Sequence, residues 1–444
     1  MSFFNISPNP AYQWKNYEKV ALRFFFIYFI LQAVPFDWKF YKTLWAIDWQ
    51  HATFYGLFTL SKYAPQFFLF TGYANWAIAA LIAIAGTVAW IFAERKEVNN
   101  DTLLYWLRVI LRYRLAIAVI AYGFIKVFPL QMPYPSLSNL HTNYGDFLAW
   151  KIYYHTIGIT PGYETFLGLI EITAGLLLLK RNTVTFGAAI VLGFMSNVFA
   201  ANLGYDVGEY VYCSYLLVMA LFLFSYDAIR LFNLLILEKF TTASKFRPVF
   251  SNKGLRNLRW AVKIAVLVFS ISIGFSTYAN YDHAPYKLPQ APGLKGAYGY
   301  YNVREFKLNG KTLPYSRTDS DRWQNVVFEK WATISIKVAR PIKVDLSNGD
   351  EYHTEDIDRD FESAGVGGRS YYAYSADTLN KTLALTNKNK NYRTEKYSLN
   401  YNRLNDSTIV IKGINEKRDS VYAVLDRIKD KHLLFVGRRK PLKL

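Results

Sequence analysis

Up to about Asn280 the chain is a succession of long apolar runs; beyond that point, apolar and polar positions alternate in short segments. A helix needs about 20 mainly apolar residues to cross a bilayer. Seven stretches fit: Tyr17–Val34, Tyr73–Ala93, Leu104–Phe128, Thr160–Leu179, Thr183–Leu203, Val207–Tyr226 and Leu258–Tyr278. The third opens with Arg108, Arg112 and Arg114, so its first turns are expected at the membrane–water interface. Pro35–Gln66, with Trp38, Trp45 and Trp49, and Leu130–Ile159, with Trp150, Tyr153 and Tyr154, are rich in the aromatics of headgroup level. Both predict short amphipathic helices along the outer boundary. Asp227–Phe240 keeps helical spacing, as an extension of the sixth span would.

After the Pro-marked linker Ala284–Gly293 the period drops to two. Strands are predicted at Tyr300–Leu308, Val326–Phe328, Thr333–Val338, Tyr397–Tyr401, Thr408–Lys412, Val421–Leu425 and Leu433–Val436, with turns at Asn309-Gly310 and Asn348-Gly349. The expected fold is a mainly α-helical integral membrane bundle of about seven transmembrane helices, followed by a C-terminal antiparallel β-rich soluble domain, one compact sheet or small barrel. The pattern divides the chain into a two-span N-terminal region (1–103), a four-helix membrane domain (104–240), a basic loop with the seventh span (241–284) and the β-rich domain (285–444).

The formal charge of +19 divides almost evenly, with a surplus of ten on residues 1–280 and nine beyond. In the first part the cations cluster beside apolar segments, as in cytoplasmic loops, which argues for anionic lipid and against nucleic acid. Lys15, Lys19 and Arg23, then Arg95, Lys96, Arg108 and Arg112, then Lys180 and Arg181, then Lys239, Lys245, Arg247, Lys253, Arg256 and Arg259 all fall in one set of loops, on the same side of the seven expected spans, and the opposite loops hold far fewer. That places the amino terminus in the cytoplasm of a bacterial inner membrane and the β-rich domain in the periplasm. The single cysteine, Cys213, lies in an apolar stretch and reads as a buried thiol. A cleaved signal peptide is not expected; Arg23 followed by Phe24–Val34 reads as an uncleaved first span.

Against this apolar background three ionisable residues stand out, Lys126, Glu171 and Asp206, accompanied by Tyr122, Gly123, Asn197, Asn202, Tyr205 and Glu209. A charge in hydrocarbon is costly and is kept where it pairs, lines water or carries function. The small residues of Gly168–Gly175 would admit a neighbouring helix, and Lys126, Glu171 and Asp206 could then converge in a polar pocket open to the outer side. The plainer alternative has Lys126 snorkelling to the interface and the carboxylates tying helices together. Glu171, at mid-span, is the residue that alternative explains least well.

Tyr122-Gly123-Phe124-Ile125-Lys126, the Pro129–Ser136 stretch, and Glu171-Ile172-Thr173-Ala174-Gly175 with the leucine run that follows resemble the DoxX/DoxD-like family of bacterial membrane proteins. Asn197–Val207 is similar to a larger subgroup of that family with an appended C-terminal domain. The likeness covers about residues 104–235; Gly208-Glu209 departs from it where Pro and a basic residue are expected, which sets Glu209 apart from any shared site. It implies a four-helix unit and hints at quinone-linked redox, with Lys126, Glu171, Asn197, Asn202, Tyr205 and Asp206 as the binding candidates and a quinone as the implied ligand.

Other motifs carry less. His141, Asp146 and His155 fit no compact metal-ligand spacing. Asp356, Asp358 and Asp360 begin like a calcium loop, but Phe361 and Gly367 stand where Gly and Glu belong. Gly365-Val366-Gly367-Gly368 is a flexible loop and no phosphate cradle. No haem-attachment pattern or catalytic triad is recognisable. Three functions stay open: a quinone-associated redox component, a protein that binds or conducts a small solute or proton, and an envelope assembly module whose partner binds residues 285–444.

Overall fold

In a computed structural model of the protein, the described residues are 14–49, 53–67, 72–94, 98–241, 253–283, 286–429 and 432. The expected strand Leu433–Val436 and the loop cations Arg95, Lys96, Lys245 and Arg247 lie outside them. The chain forms two compact units that interleave in sequence. Unit 1 holds residues 1–127, 166–204 and 208–278; unit 2 holds 128–165, 205–207 and 279–444.

The helices are α1 (Asn16–Ala33), α2 (Trp38–Ala46), α3 (Phe54–Ser61), α4 (Tyr73–Ala93), α5 (Asn100–Val127), α6 (Leu137–Leu140), α7 (Ala149–Gly158), α8 (Pro161–Leu179), α9 (Val184–Gly204), α10 (Tyr210–Leu235) and α11 (Lys253–His283). Among the described residues, six stretches of helix are long and apolar enough to cross a membrane, which marks a multi-pass membrane protein. α5, the third expected span, is not among them. At 28 residues it is long enough, but Asp101, Arg108, Arg112, Arg114 and Lys126 lower its apolar character. Instead it is the central helix of unit 1: Leu107, Leu111, Leu115, Ala116 and Ala118 are fully buried. Lipid-type faces belong to its neighbours, as with exposed Leu81, Ile84, Val88 and Phe92 on α4 and Ile264, Ile271 and Phe275 on α11. The helical spacing after Asp227 carries α10 as far as Leu235.

The described residues of unit 2 form nine strands: β1 (Gly299–Leu308), β2 (Lys311–Thr312), β3 (Asn325–Phe328), β4 (Thr333–Lys337), β5 (Ser370–Asp377), β6 (Thr382–Asn387), β7 (Lys396–Arg403), β8 (Thr408–Asn415) and β9 (Ser420–Ile428). All neighbours are antiparallel, and β1 also pairs with β9, so eight strands close into a barrel while the two-residue β2 only extends the β1 hairpin. Closure leaves no long edge to recruit another chain. Asn309 and Gly310 both take positive φ, the requirement of a tight two-residue hairpin turn. Alternate side chains, among them Tyr301, Phe306, Phe328, Ile336, Leu385, Ile411 and Leu425, fill the barrel.

The Leu130–Ile159 segment forms α6 and α7, and the aromatics that pointed to headgroup level are interior: Trp150 is 3% exposed and Tyr154 1%. The segment packs within unit 2, where Leu148 N–H donates to Gly365 O and Gly367 N–H donates to Asp146 O. Gly365, at φ +68°, lies so close to the Trp150 indole that a Cβ would come within 2.7 Å of the ring.

Candidate functional site

The charged residues of unit 1 are held by close helix contact. α8 reaches α5 because Gly168 faces Gly123: a Cβ on Gly168 would sit 2.5 Å from Gly123 O and 2.9 Å from Lys126 Cβ. Two turns further along α8, a Cβ on Gly175 would strike Ile120. At this seam Lys126 Nζ meets both oxygens of Glu171, at 2.8 and 2.7 Å, and its ammonium lies 5.3 Å from the Tyr122 ring centre. Lys126 is 5% exposed and Glu171 2%. Lys126 therefore does not snorkel; it turns inward and neutralises the carboxylate. Removing one partner of a buried pair leaves an uncompensated charge, at a cost of about 3–5 kcal/mol.

From the sealed pair a row of aromatic and polar groups leads to a second, partly exposed one. Tyr122 and Tyr212 have ring centres 5.7 Å apart, and Lys62 Nζ lies 5.9 Å from the Tyr212 ring. Lys62 then pairs with Glu209 at 2.6 Å, their side chains 34% and 25% exposed. Asn202 braces this end: its amide nitrogen donates to Val198 O and contacts Cys213 Sγ, and its oxygen accepts from Glu209 N–H at 3.0 Å.

Arg114 enters the same interior from the other side. Its place on α5 is about 200° around from Arg112 at 100° per residue, and both are buried, Arg114 at 8% exposure and Arg112 at 9%. It donates to Ser61 O at 2.9 Å and to Tyr63 O, and lies 3.5 Å from Tyr212 OH. Ser61 and Tyr63 end α3, which buries Phe54, Leu57 and Leu60. Part of the Pro35–Gln66 segment thus packs into the helical unit, with Leu57 against Ala121 of α5 and Ile273 of α11.

Of the six residues singled out from sequence, only Lys126 and Glu171 touch one another. Asn202 supports the Lys62–Glu209 end, and Asn197 is exposed on α9. Tyr205 and Asp206 belong to unit 2, where Tyr205 stacks on Tyr153 with ring centres 5.1 Å apart and Asp206 is exposed at φ +53°. Sequence reasoning missed Arg114, Lys62, Tyr212 and Tyr215. Arg114 could have been found by helical phase alone; the Lys62–Glu209 pair spans 147 residues and has no local signal.

Unit 2 has its own buried charges, arranged differently. Lys388 and Glu362 pair at 3.1 Å with both side chains inaccessible, and Trp331 Nε1–H donates to the other Glu362 oxygen at 2.8 Å. Glu329 accepts from Ser138 N–H, Ser138 Oγ–H and Leu137 N–H. Burial, reinforced by the Glu362 charge and opposed by the Ser138 bonds, pushes its carboxyl up to about 7. Lys151 donates to Phe361 O and sits 4.0 Å from the Phe361 ring; burial, opposed by Glu362 and helped by Lys287, pulls its ammonium down to about 7. The residues weighed as metal ligands are engaged separately: His141 stacks on Tyr300, Asp146 accepts from Asn143, and His155 packs on Phe147. Asp356 accepts from the Gln290 and Ala291 amides, and Asp358 pairs with Arg393 at 2.7 Å, so the acidic turn is a structural tie.

No family model matches the chain, and neither the curated proteins nor the solved structures contain a match to it.

Proposed function

We propose that the chain is a DoxX-like bacterial inner-membrane protein whose helical unit holds an exchangeable proton on the Lys126–Glu171 pair and couples it to a small solute. The single observation behind this reading is the route from that sealed pair through Tyr122 and Tyr212 to the partly exposed Lys62–Glu209 pair. A bare tie between helices needs no such exit. A charge pair kept within an apolar bundle, where a well-packed apolar replacement would cost little, is a functional residue set by default. The amino terminus lies in the cytoplasm and the barrel in the periplasm on this reading, because Lys15, Lys19, Lys180, Arg181 and Lys239 share one side of the alternation. A quinone-type headgroup is the ligand favoured by the family resemblance, and the Tyr122 and Tyr212 rings give such a headgroup a surface to stack on.

Infrared difference spectra of the full chain in lipid nanodiscs, recorded from about pH 5 to 9, test the proton. The expected result is a carboxylic acid band that grows or fades across that range over and above that of Glu329, lost in Glu171→Gln and kept in Glu329→Gln. Identical pH profiles for the unsubstituted protein and Glu171→Gln would overturn the reading. Proteoliposomes under an imposed pH gradient should take up protons, and Glu171→Gln should abolish the uptake. A quinone co-purifying with the native protein and lost from Tyr122→Ala would assign the solute.

A further inference from the structure

At the end of unit 1 where α8 passes into α9, a cavity of about 510 Å³ is lined by Arg108, Arg112, Lys180, Arg181 and Lys263. No carboxylate is among its described lining residues. The nearby acid, Asp227, acts on Arg108 from outside the lining, where it accepts from Thr185 Oγ at 2.5 Å and lies 3.7 Å from Arg230. Arg108 and Arg112 occur at i and i+4 on one face of α5, a spacing at which like charges repel. The Arg108 guanidinium lies 3.3 Å from the Tyr226 ring centre, and Arg112 is nine-tenths buried at 9% exposure. The Nε–H groups of both are buried and find no hydrogen-bond acceptor among the described residues. Two guanidinium groups on one helix face, in a cavity whose charged lining is all cationic, call for an anion. Arginine's planar fork suits phosphate in particular.

Tyr105 and Tyr113 apart, the rest of the wall is apolar, with Trp106, Val109, Leu179 and Leu267 in it. Free phosphate has no use for such a wall, whereas an acyl chain does. We infer that this cavity is a binding site for one anionic diacyl phospholipid, its phosphate held by Arg108 and Arg112 and an acyl chain laid along Leu179 and Leu267. Basic cavities between membrane helices on the cytoplasmic side recognise such headgroups, and the loop charges assign this end of the unit to that side. The inference does not depend on the proton-binding role of Lys126 and Glu171.

The test uses the full chain, delipidated and then supplied with phosphatidylglycerol, phosphatidylcholine or inorganic phosphate. Native mass spectrometry counts retained lipid and thermal unfolding reads stabilisation. The unsubstituted protein should retain phosphatidylglycerol well above phosphatidylcholine. Arg108→Ala with Arg112→Ala should weaken that retention on the order of 30-fold, from about fivefold per cation. Lys42→Ala, on exposed α2, should change nothing. Leu267→Trp fills the apolar side without altering charge and should reduce phosphatidylglycerol retention in a folded protein even where the arginine variant fails to fold. Equal retention of the two lipids would overturn the site. Stabilisation by inorganic phosphate as large as that by phosphatidylglycerol, unchanged in Leu267→Trp, would overturn the lipid assignment.

Discussion

The helical unit and the barrel unit both bury charge, but they satisfy it in opposite ways. Glu171 faces one cation, Lys126, with Tyr122 beside it, and Arg114 spends its donors on two backbone carbonyls. In the barrel unit Glu362 is held by Lys388 and Trp331, and Glu329 by three donors of the Leu137–Ser138 turn. A group with several partners tolerates the loss of one. A group with a single partner does not, and in an apolar surround no water replaces it. Redundancy marks charges that fasten structure, and its absence marks charges whose state can change.

The sharpest way to break this contrast is at the single-partner pair. Lys126→Ala or Glu171→Ala should each destabilise unit 1 by about 3–5 kcal/mol in denaturant titrations, whereas the double replacement of both by Met should lie within about 1–2 kcal/mol of the parent. If the double variant is as unstable as the singles, the pair carries more than mutual neutralisation. Next in size, Gly168→Ala forces a methyl against the Gly123 carbonyl and should cost about 1–3 kcal/mol by overpacking; a neutral result would mean that the α5–α8 seam can open. In the barrel unit, Glu329→Gln keeps one acceptor oxygen for the donors of the Leu137–Ser138 turn and should cost only about 1–3 kcal/mol, less than either single change at the helical pair.

The barrel unit should also show a pH signature. Glu329 takes up its proton near pH 7 when folded but near its ordinary 4.5 when unfolded, so its contribution to stability falls as pH rises between those values. Lys151 releases its proton near pH 7 when folded but near 10.5 when unfolded, so its contribution rises with pH across that upper window. The two slopes meet in a stability minimum close to neutrality. The full chain's denaturant midpoint, followed by tryptophan fluorescence, should dip there, and Lys151→Met should remove the alkaline rise. Smallest of all, Arg304→Ala breaks an exposed barrel pair with Asp426 and should change stability by about 0.5 kcal/mol or less.

Much of the fold was legible in local pattern. The helices α1, α4, α8, α9, α10 and α11 follow from apolar run length, and β1, β3, β4, β7, β8 and β9 from alternation with Asn-Gly punctuation. β5 and β6 escaped because Ser370–Asp377 mixes small and aromatic residues and Thr382–Asn387 runs into a polar stretch, which weakens the period of two. The choice between an open sheet and a small barrel was left undecided, since β1 meets β9 across more than a hundred residues. At the site, cost in hydrocarbon was enough to single out Lys126 and Glu171. Partner choice was not, because Glu209 and Asp206 are three residues apart and the fold directs them to different units.

Arg114 also sets an order of assembly. The carbonyls of Ser61 and Tyr63 leave the ribosome some fifty residues before the guanidinium that satisfies them. Until α5 arrives, the end of α3 has no donor for those two oxygens in an apolar surround, and residues 54–63 have no reason to leave water. Docking of α3 is thus timed by synthesis of a later helix, and a chain halted before Arg114 should leave this segment open to protease while α1 is already inserted.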